Sequence, residues 1–304
     1  MIVHDNADAA WRDTIRVIVS NGKRYSSRAG DMVEVLSYGM KILNPNTFAA
    51  SRKFSPVYAA GELLWYLSRD NCGDMISHYA PSYSKYLETD VLGVARARGG
   101  YGARIRWTLG QTIKHLLEKL GKNTRQAVIP IFNETDVDVE TNDCPCTLTW
   151  QFLPRADKLH MITTMRSNDA WLGLPYDLFC FTRIQSLVAD AVGLDVGTYT
   201  HQVGSMHLYE KDVDKAREAL SNNLKHELER TRTITDHMSA IELATTLEKK
   251  IRNKKLGVAS ATKLVADSKL YQTFLGQMLV LCAMKNDGSN EALLVDPALL
   301  EMMR

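Results

Sequence analysis

A cysteine set in the run C-P-C-T (Cys146) and a dodecamer beginning twenty residues later, R-S-N-D-A-W-L-G-L-P-Y-D from Arg166 to Asp177, hold the chain's densest collection of reactive side chains. Arg166 and Ser167 suit a phosphate, since a guanidinium forks onto two oxygens and a hydroxyl adds a third bond. The same arginine, placed near Cys146, would favour the thiolate, the nucleophilic form of the thiol. Asp177 follows Leu-Pro-Tyr, a bend that would present its carboxyl at a fixed place. Glu62 is the single charge in the apolar run P-V-Y-A-A-G-E-L-L-W-Y-L-S; a carboxyl buried there would titrate near neutral pH and could carry protons. Each has a plain alternative: a bystander cysteine, a surface turn, a helix glutamate facing water. His207 and Tyr209 lie two apart on an expected strand and so share a face, which is also what a half-buried strand would show.

Several short motifs occur in one order along residues 10 to 210: E-L-L-W-Y-L from Glu62, Tyr101-Gly102, Pro145-Cys146, R-S-x-D at Arg166 to Asp169, L-G-L-P from Leu172, and H-x-Y at His207 and Tyr209. Together they resemble the core of thymidylate synthase and its relatives, the pyrimidine nucleotide hydroxymethylases; an ordered set is far more specific than any member of it. The resemblance implies that Cys146 adds to C6 of a pyrimidine monophosphate, turning C5 into a nucleophile that attacks the one-carbon unit of 5,10-methylenetetrahydrofolate. It implies that Glu62 moves protons and that Arg28, Arg125, Arg166 and Ser167 bind phosphate. His207 and Tyr209 are expected on the sugar 3'-hydroxyl, and Asp169, Tyr83 and Tyr101 on the folate side. Arg125 would come from the partner subunit of a homodimer. Arg24 rivals Arg28, and Gln126 stands where the family often has a second arginine.

Where thymidylate synthases carry asparagine, this chain has Asp177, as the cytosine-specific relatives do. An amide matches O4 and N3–H of uracil. A carboxyl accepts from the amino group of cytosine and, when protonated, donates to N3; a mismatched buried pair costs about 1–3 kcal/mol. The expected substrate is therefore dCMP, with CMP and dUMP as alternatives. Tyr83 stands where synthases place an indole, Thr147 replaces the histidine that usually follows the cysteine, and the terminal L-L-E-M-M-R does not match the family's folate-sealing tail. A wetter pocket favours capture of the methylene intermediate by water, so hydroxymethylation is expected over methylation. A non-catalytic nucleotide binder on the same scaffold, and a cysteine hydrolase using His160 or His207, are the readings from other classes.

The elements that must hold these groups follow from periodicity. Helices are expected at 8–21, 56–68, 109–120 and 178–192, and strands at 31–43, 126–133, 148–153, 158–165 and 196–209, with an Arg- and Gly-rich loop at 90–103. After 211 the pattern turns to amphipathic helices at 211–226, 236–254 and 260–284. The expected architecture is α+β: a mixed sheet with flanking helices over residues 1–210, and a helical extension over 211–304 packed on it. Apolar content of 45%, charged content of 24% and a net charge of +2 supply no general nucleic-acid surface. No apolar run is long enough to span a bilayer and no leader is expected at the N-terminus. Five cysteines, an odd number, suggest a reduced, cytoplasmic protein, and their spacing fits no zinc site.

Overall fold

Asn6 opens the first helix by accepting from the Ala9 amide, and the apolar spacing of Ala7, Ala10, Trp11, Ile15 and Ile18 buries one face of it. The computed structural model describes residues 1–304 apart from 138–139, 223–226, 230, 232, 235, 291, 293 and 304. The chain runs β1 (Ile2–His4), α1 (Ala7–Asn21), β2 (Lys23–Ser27), β3 (Gly30–Ile42), α2 (Pro56–Leu67), α3 (Gly73–Tyr79), β4 (Glu88–Thr89), β5 (Ala95–Arg96), α4 (Tyr101–Ile105) and α5 (Thr108–Glu118). It continues β6 (Ala127–Pro130), β7 (Thr147–Arg155), β8 (Lys158–Asp169), α6 (Leu174–Val192), β9 (Asp195–Tyr209), α7 (Val213–Ala219), α8 (His237–Lys254), α9 (Val258–Ala266), α10 (Phe274–Asp287) and α11 (Pro297–Glu301).

One mixed sheet carries the order β1-β3-β9-β8-β7-β6, with β2 folded back on β3. β8 and β9 pair in parallel across the α6 crossover, while β3 with β9, β7 with β8 and β6 with β7 are antiparallel. One face of the sheet is covered by helices. Thr14 of α1 hydrogen-bonds the Tyr38 hydroxyl, the Gln185 amide of α6 donates to the Leu159 and Gly197 carbonyls, and Phe181 of α6 packs on Trp150 with ring centroids 5.1 Å apart. The opposite face presents Val128, Gln151, Leu153, Ile162, Thr164 and Gln202, half-buried to exposed. This is the expected α+β class.

Several boundaries differ from the sequence reading. β8 continues through Asp169, so Arg166 and Ser167 lie on a strand and not in a turn. α6 starts at Leu174, with Pro175 supplying the fixed φ of a first turn, so Asp177 sits inside that first turn and not behind a bend. The expected helix at 260–284 is two: Ser268 to Thr273 interrupt it, and the Thr273 hydroxyl caps α10 by accepting from Gly276. Within 90–103 the chain forms β5 and begins α4. Of the helix expected at 211–226, Val213–Ala219 is helical, and 223–226 lie outside the described residues. α10 packs on α2, and the Tyr79 hydroxyl donates to Glu248 of α8 at 2.8 Å, so the helices after 211 share one apolar core with the sheet.

Candidate active site

Cys146 ends the loop that enters β7, and Arg166 on the neighbouring strand wraps that loop. The Arg166 amide donates to the Cys146 carbonyl at 2.9 Å. Its Nε donates to the Pro145 carbonyl (2.9 Å), and its Nη2 reaches the Cys144 carbonyl (3.0 Å) and the Cys146 Sγ (3.8 Å). Burial pushes the thiol up to about 11, against the pull of the guanidinium and with a further push from the Asp177 carboxyl. The Asp177 carboxyl therefore acts on the sulfur electrostatically. Behind the sulfur, Thr147 donates through its amide and its hydroxyl to the Tyr101 hydroxyl, which fixes the start of β7 against α4. Tyr101 is buried between Tyr66, Trp150 and Phe181.

Two buried carboxyls, Glu62 and Asp177, act on each other electrostatically. Glu62 of α2 is buried, and burial raises its pKa against hydrogen bonds from Tyr58, Tyr66 and Cys180. The Tyr58 hydroxyl donates to one Glu62 oxygen at 2.7 Å, and the Cys180 thiol approaches the other at 3.7 Å. Asp177 is buried too; burial and the nearby Glu62 push it up to about 8, opposed by a hydrogen bond from Asn168. The Asn168 amide donates to Asp177 Oδ2 at 2.5 Å. A carboxyl in this state is largely protonated at neutral pH, so it offers one donor and one acceptor.

Ser167 and His207 are joined across the parallel strands at 3.5 Å, and the His207 and Tyr209 rings meet edge-on at 5.1 Å. Asp169 closes β8 by accepting from the Trp171 and Leu172 amides, and burial raises its pKa. Tyr83 packs edge-on against Trp65, and its hydroxyl donates to Asp143, whose other oxygen accepts from Gly99. Arg28 reaches the Thr141 carbonyl in the loop leading to Cys144 and lines a cavity of about 530 Å³ with Lys85, Tyr86 and Asn142. Arg24, the rival, pairs with Glu210.

This geometry gathers Cys146, Arg166, Glu62, Asp177 and Tyr101 into one cluster, with Ser167, His207 and Tyr209 along the strands beside it. The chain's own Arg125 is not part of it. Ala127 faces Phe152, so residue 125 lies level with the far end of β7, about 26 Å along the strand from Cys146 at roughly 3.3 Å per residue. A cavity of about 660 Å³ between Arg183, Asn46 and Met278 contains none of these residues.

The sequence model of the family described as thymidylate synthase matches residues 9–253. The chain belongs to the thymidylate synthase family. It is 26% identical to the deoxyuridylate hydroxymethyltransferase of Bacillus phage SP01 over 221 residues, 66% of this chain and 57% of that protein. It is 32% identical to the thymidylate synthase of Symbiobacterium thermophilum over 117 residues, 38% of this chain and 41% of the relative. It is 35% identical to a putative thymidylate synthase of Methanococcoides burtonii over 119 residues, 38% of this chain and 54% of the relative. The matches thus span about half the length of these relatives.

Sequence reasoning passed over the groups that surround the two carboxyls. Tyr58, Glu62 and Tyr66 stand four apart, a spacing that places them on one helix face and could have been read. Asn168 and Cys180 carry no such signal: one was the variable position of R-S-x-D, the other an apolar-run cysteine. Among the described residues no cluster of side chains suits a metal ion, and no helix is long and apolar enough to cross a membrane.

Proposed function

We propose that the protein transfers a one-carbon unit from 5,10-methylenetetrahydrofolate to C5 of dCMP, giving 5-hydroxymethyl-dCMP and tetrahydrofolate. The observation that carries this reading is Asp177, a buried, largely protonated carboxyl beside Cys146 at the place where an amide would read uracil. Cys146 loses its proton and adds to C6, and the electron pair displaced to C5 attacks the methylene carbon of the folate. Arg166, 3.8 Å from the sulfur, stabilises the thiolate that the buried pocket disfavours. Loss of the C5 proton and departure of tetrahydrofolate leave an exocyclic methylene on the base. Water adds to that carbon, and the thiolate leaves C6. Glu62, held by Tyr58 and Cys180, moves protons between base, folate and water.

Arg166, Ser167 and Arg28 supply the phosphate grip, joined by Arg125 of a second copy; His207 and Tyr209 hold the sugar, and Asp169 and Tyr83 border the folate. Tyr101 serves by fixing Thr147, and with it the nucleophile's loop. Capture by water, not hydride, is supported by Tyr83 in place of an indole and by the hydroxymethyl chemistry in the name of the phage relative. That name also pairs the chemistry with uracil, so the ring is the point to test. Incubation with dCMP, CMP or dUMP and methylenetetrahydrofolate, read by product mass, is expected to give hydroxymethylated dCMP. Turnover of dUMP with dCMP untouched overturns the choice of ring. A methyl product with dihydrofolate overturns the water step.

A further inference from the structure

A protonated carboxyl is ambiguous as a reader of pyrimidines. It offers one donor and one acceptor. With the proton on one oxygen it matches the amino group and N3 of cytosine; with the proton on the other it matches O4 and N3–H of uracil. Selectivity therefore needs something that fixes which oxygen carries the proton.

Asn168 is placed to do that. It is buried, and its Nδ2 donates to Asp177 Oδ2 at 2.5 Å and to the weak acceptor Met165 Sδ at 3.3 Å. A carbonyl oxygen accepts better than an acid hydroxyl, so this donation makes Oδ2 the carbonyl and leaves the proton to Oδ1. The backbone at Gly173 passes close by: a Cβ there would stand 3.4 Å from Oδ2 and 3.6 Å from the Asn168 amide nitrogen. The Asn168 Oδ1 is itself buried with no partner among the described residues. An apolar side chain would avoid that unpaired oxygen, so the amide's presence points to use of its donor.

We propose that Asn168 is a specificity-determining positioning residue, which sets the proton on Asp177 so that the pair reads cytosine. This rests on the reading that Asp177 faces the base, with Oδ2 toward the exocyclic group and Oδ1 toward N3. The titratable groups around Asp177 are Glu62 and Tyr66 from α2, Tyr101 from α4, Cys146 before β7, Asp169 from β8, Cys180 from α6 and Tyr199 from β9. None of them is hydrogen-bonded to Asp177.

The test is a double-mutant cycle of Asn168→Leu and Asp177→Asn, measuring kcat/KM for dCMP and for dUMP with methylenetetrahydrofolate. Asn168→Leu is expected to lower the dCMP/dUMP ratio roughly ten-fold, the effect of one lost hydrogen-bond preference. It should also move the alkaline fall of dCMP turnover to higher pH, because a donor to the carboxylate is gone. In the Asp177→Asn background it should change neither the ratio nor the pH profile. If Asn168→Leu does not fold, Asn168→Ala takes its place, and Asn168→Ser, which keeps a donor, should restore part of the ratio. Equal losses for both substrates, or the same loss in both backgrounds, overturn the proposal. Asp177→Asn leaving the ratio unchanged defeats instead the reading of Asp177, which separates the two failures.

Discussion

Asp177 and Glu62 are two acids in one apolar pocket, an arrangement that works only while at least one of them stays neutral. Folded Asp177 titrates at about 8, against 3.8 for an ordinary aspartate. A carboxyl whose pKa is raised by folding contributes its full stability below the unfolded value, and loses it as pH rises through the folded one. The window for Asp177 therefore runs from about pH 4 to about pH 8. Asparagine does not titrate. The melting temperature of Asp177→Asn, taken relative to the parent, is accordingly expected to climb as pH is raised across that window. A difference that stays flat would mean the carboxyl is not held neutral by the fold. Glu62 stood out in the sequence as the one charge in an apolar run, whereas Cys146 and Asp177 were singled out by the ordered motifs around them. Their partners were not: which amide touches which carboxyl is settled by how β8 and α6 meet, and neither periodicity nor composition encodes that meeting.

At the scale of elements, helices and strands were readable wherever apolar spacing was regular, as in α1, α2 and β9. Two of the errors fell where a local cap or first-turn proline outweighed the period. Thr273 starts a new helix inside an apolar run, and Pro175 pulls the start of α6 back to include Asp177. α2 carries Glu62, the group proposed to move protons, and Gly61 beside it is what lets the helix lie flat on α3. A Cβ at Gly61 would stand 2.3 Å from the Tyr79 ring, which is itself anchored through its hydroxyl to Glu248. Neither backbone nor ring has room to yield, so Gly61→Ala is expected to destabilise the protein by about 1–3 kcal/mol, as overpacking does. Chemical denaturation would measure this. A neutral or stabilising result, as an ordinary helix Gly→Ala change would give, would show that α2 and α3 are not in this contact.

At the scale of the whole molecule, the sheet has one face under helices and the other bearing Val128, Leu153, Ile162 and Gln202 with no comparable burial. A sheet with an apolar component on both faces is stable when both are covered. Arg125 lies on the edge of this molecule, exposed and about 26 Å along β7 from its own Cys146, far beyond the reach of an arginine side chain. If two copies join through the bare face about a two-fold axis, each Arg125 becomes available to the other copy's site. The prediction is one of complementation. Cys146→Ala and Arg125→Glu should each be inactive or at least roughly ten-fold impaired alone, since a charged contact to phosphate is lost in the second. Mixed and allowed to exchange subunits, they form heterodimers in which one site has an intact Cys146 and receives an intact Arg125 from its neighbour. Random pairing then restores roughly a quarter of parental activity. Mixing that restores nothing would place Arg125 outside the neighbour's site, and full activity of Arg125→Glu alone would remove it from phosphate binding altogether.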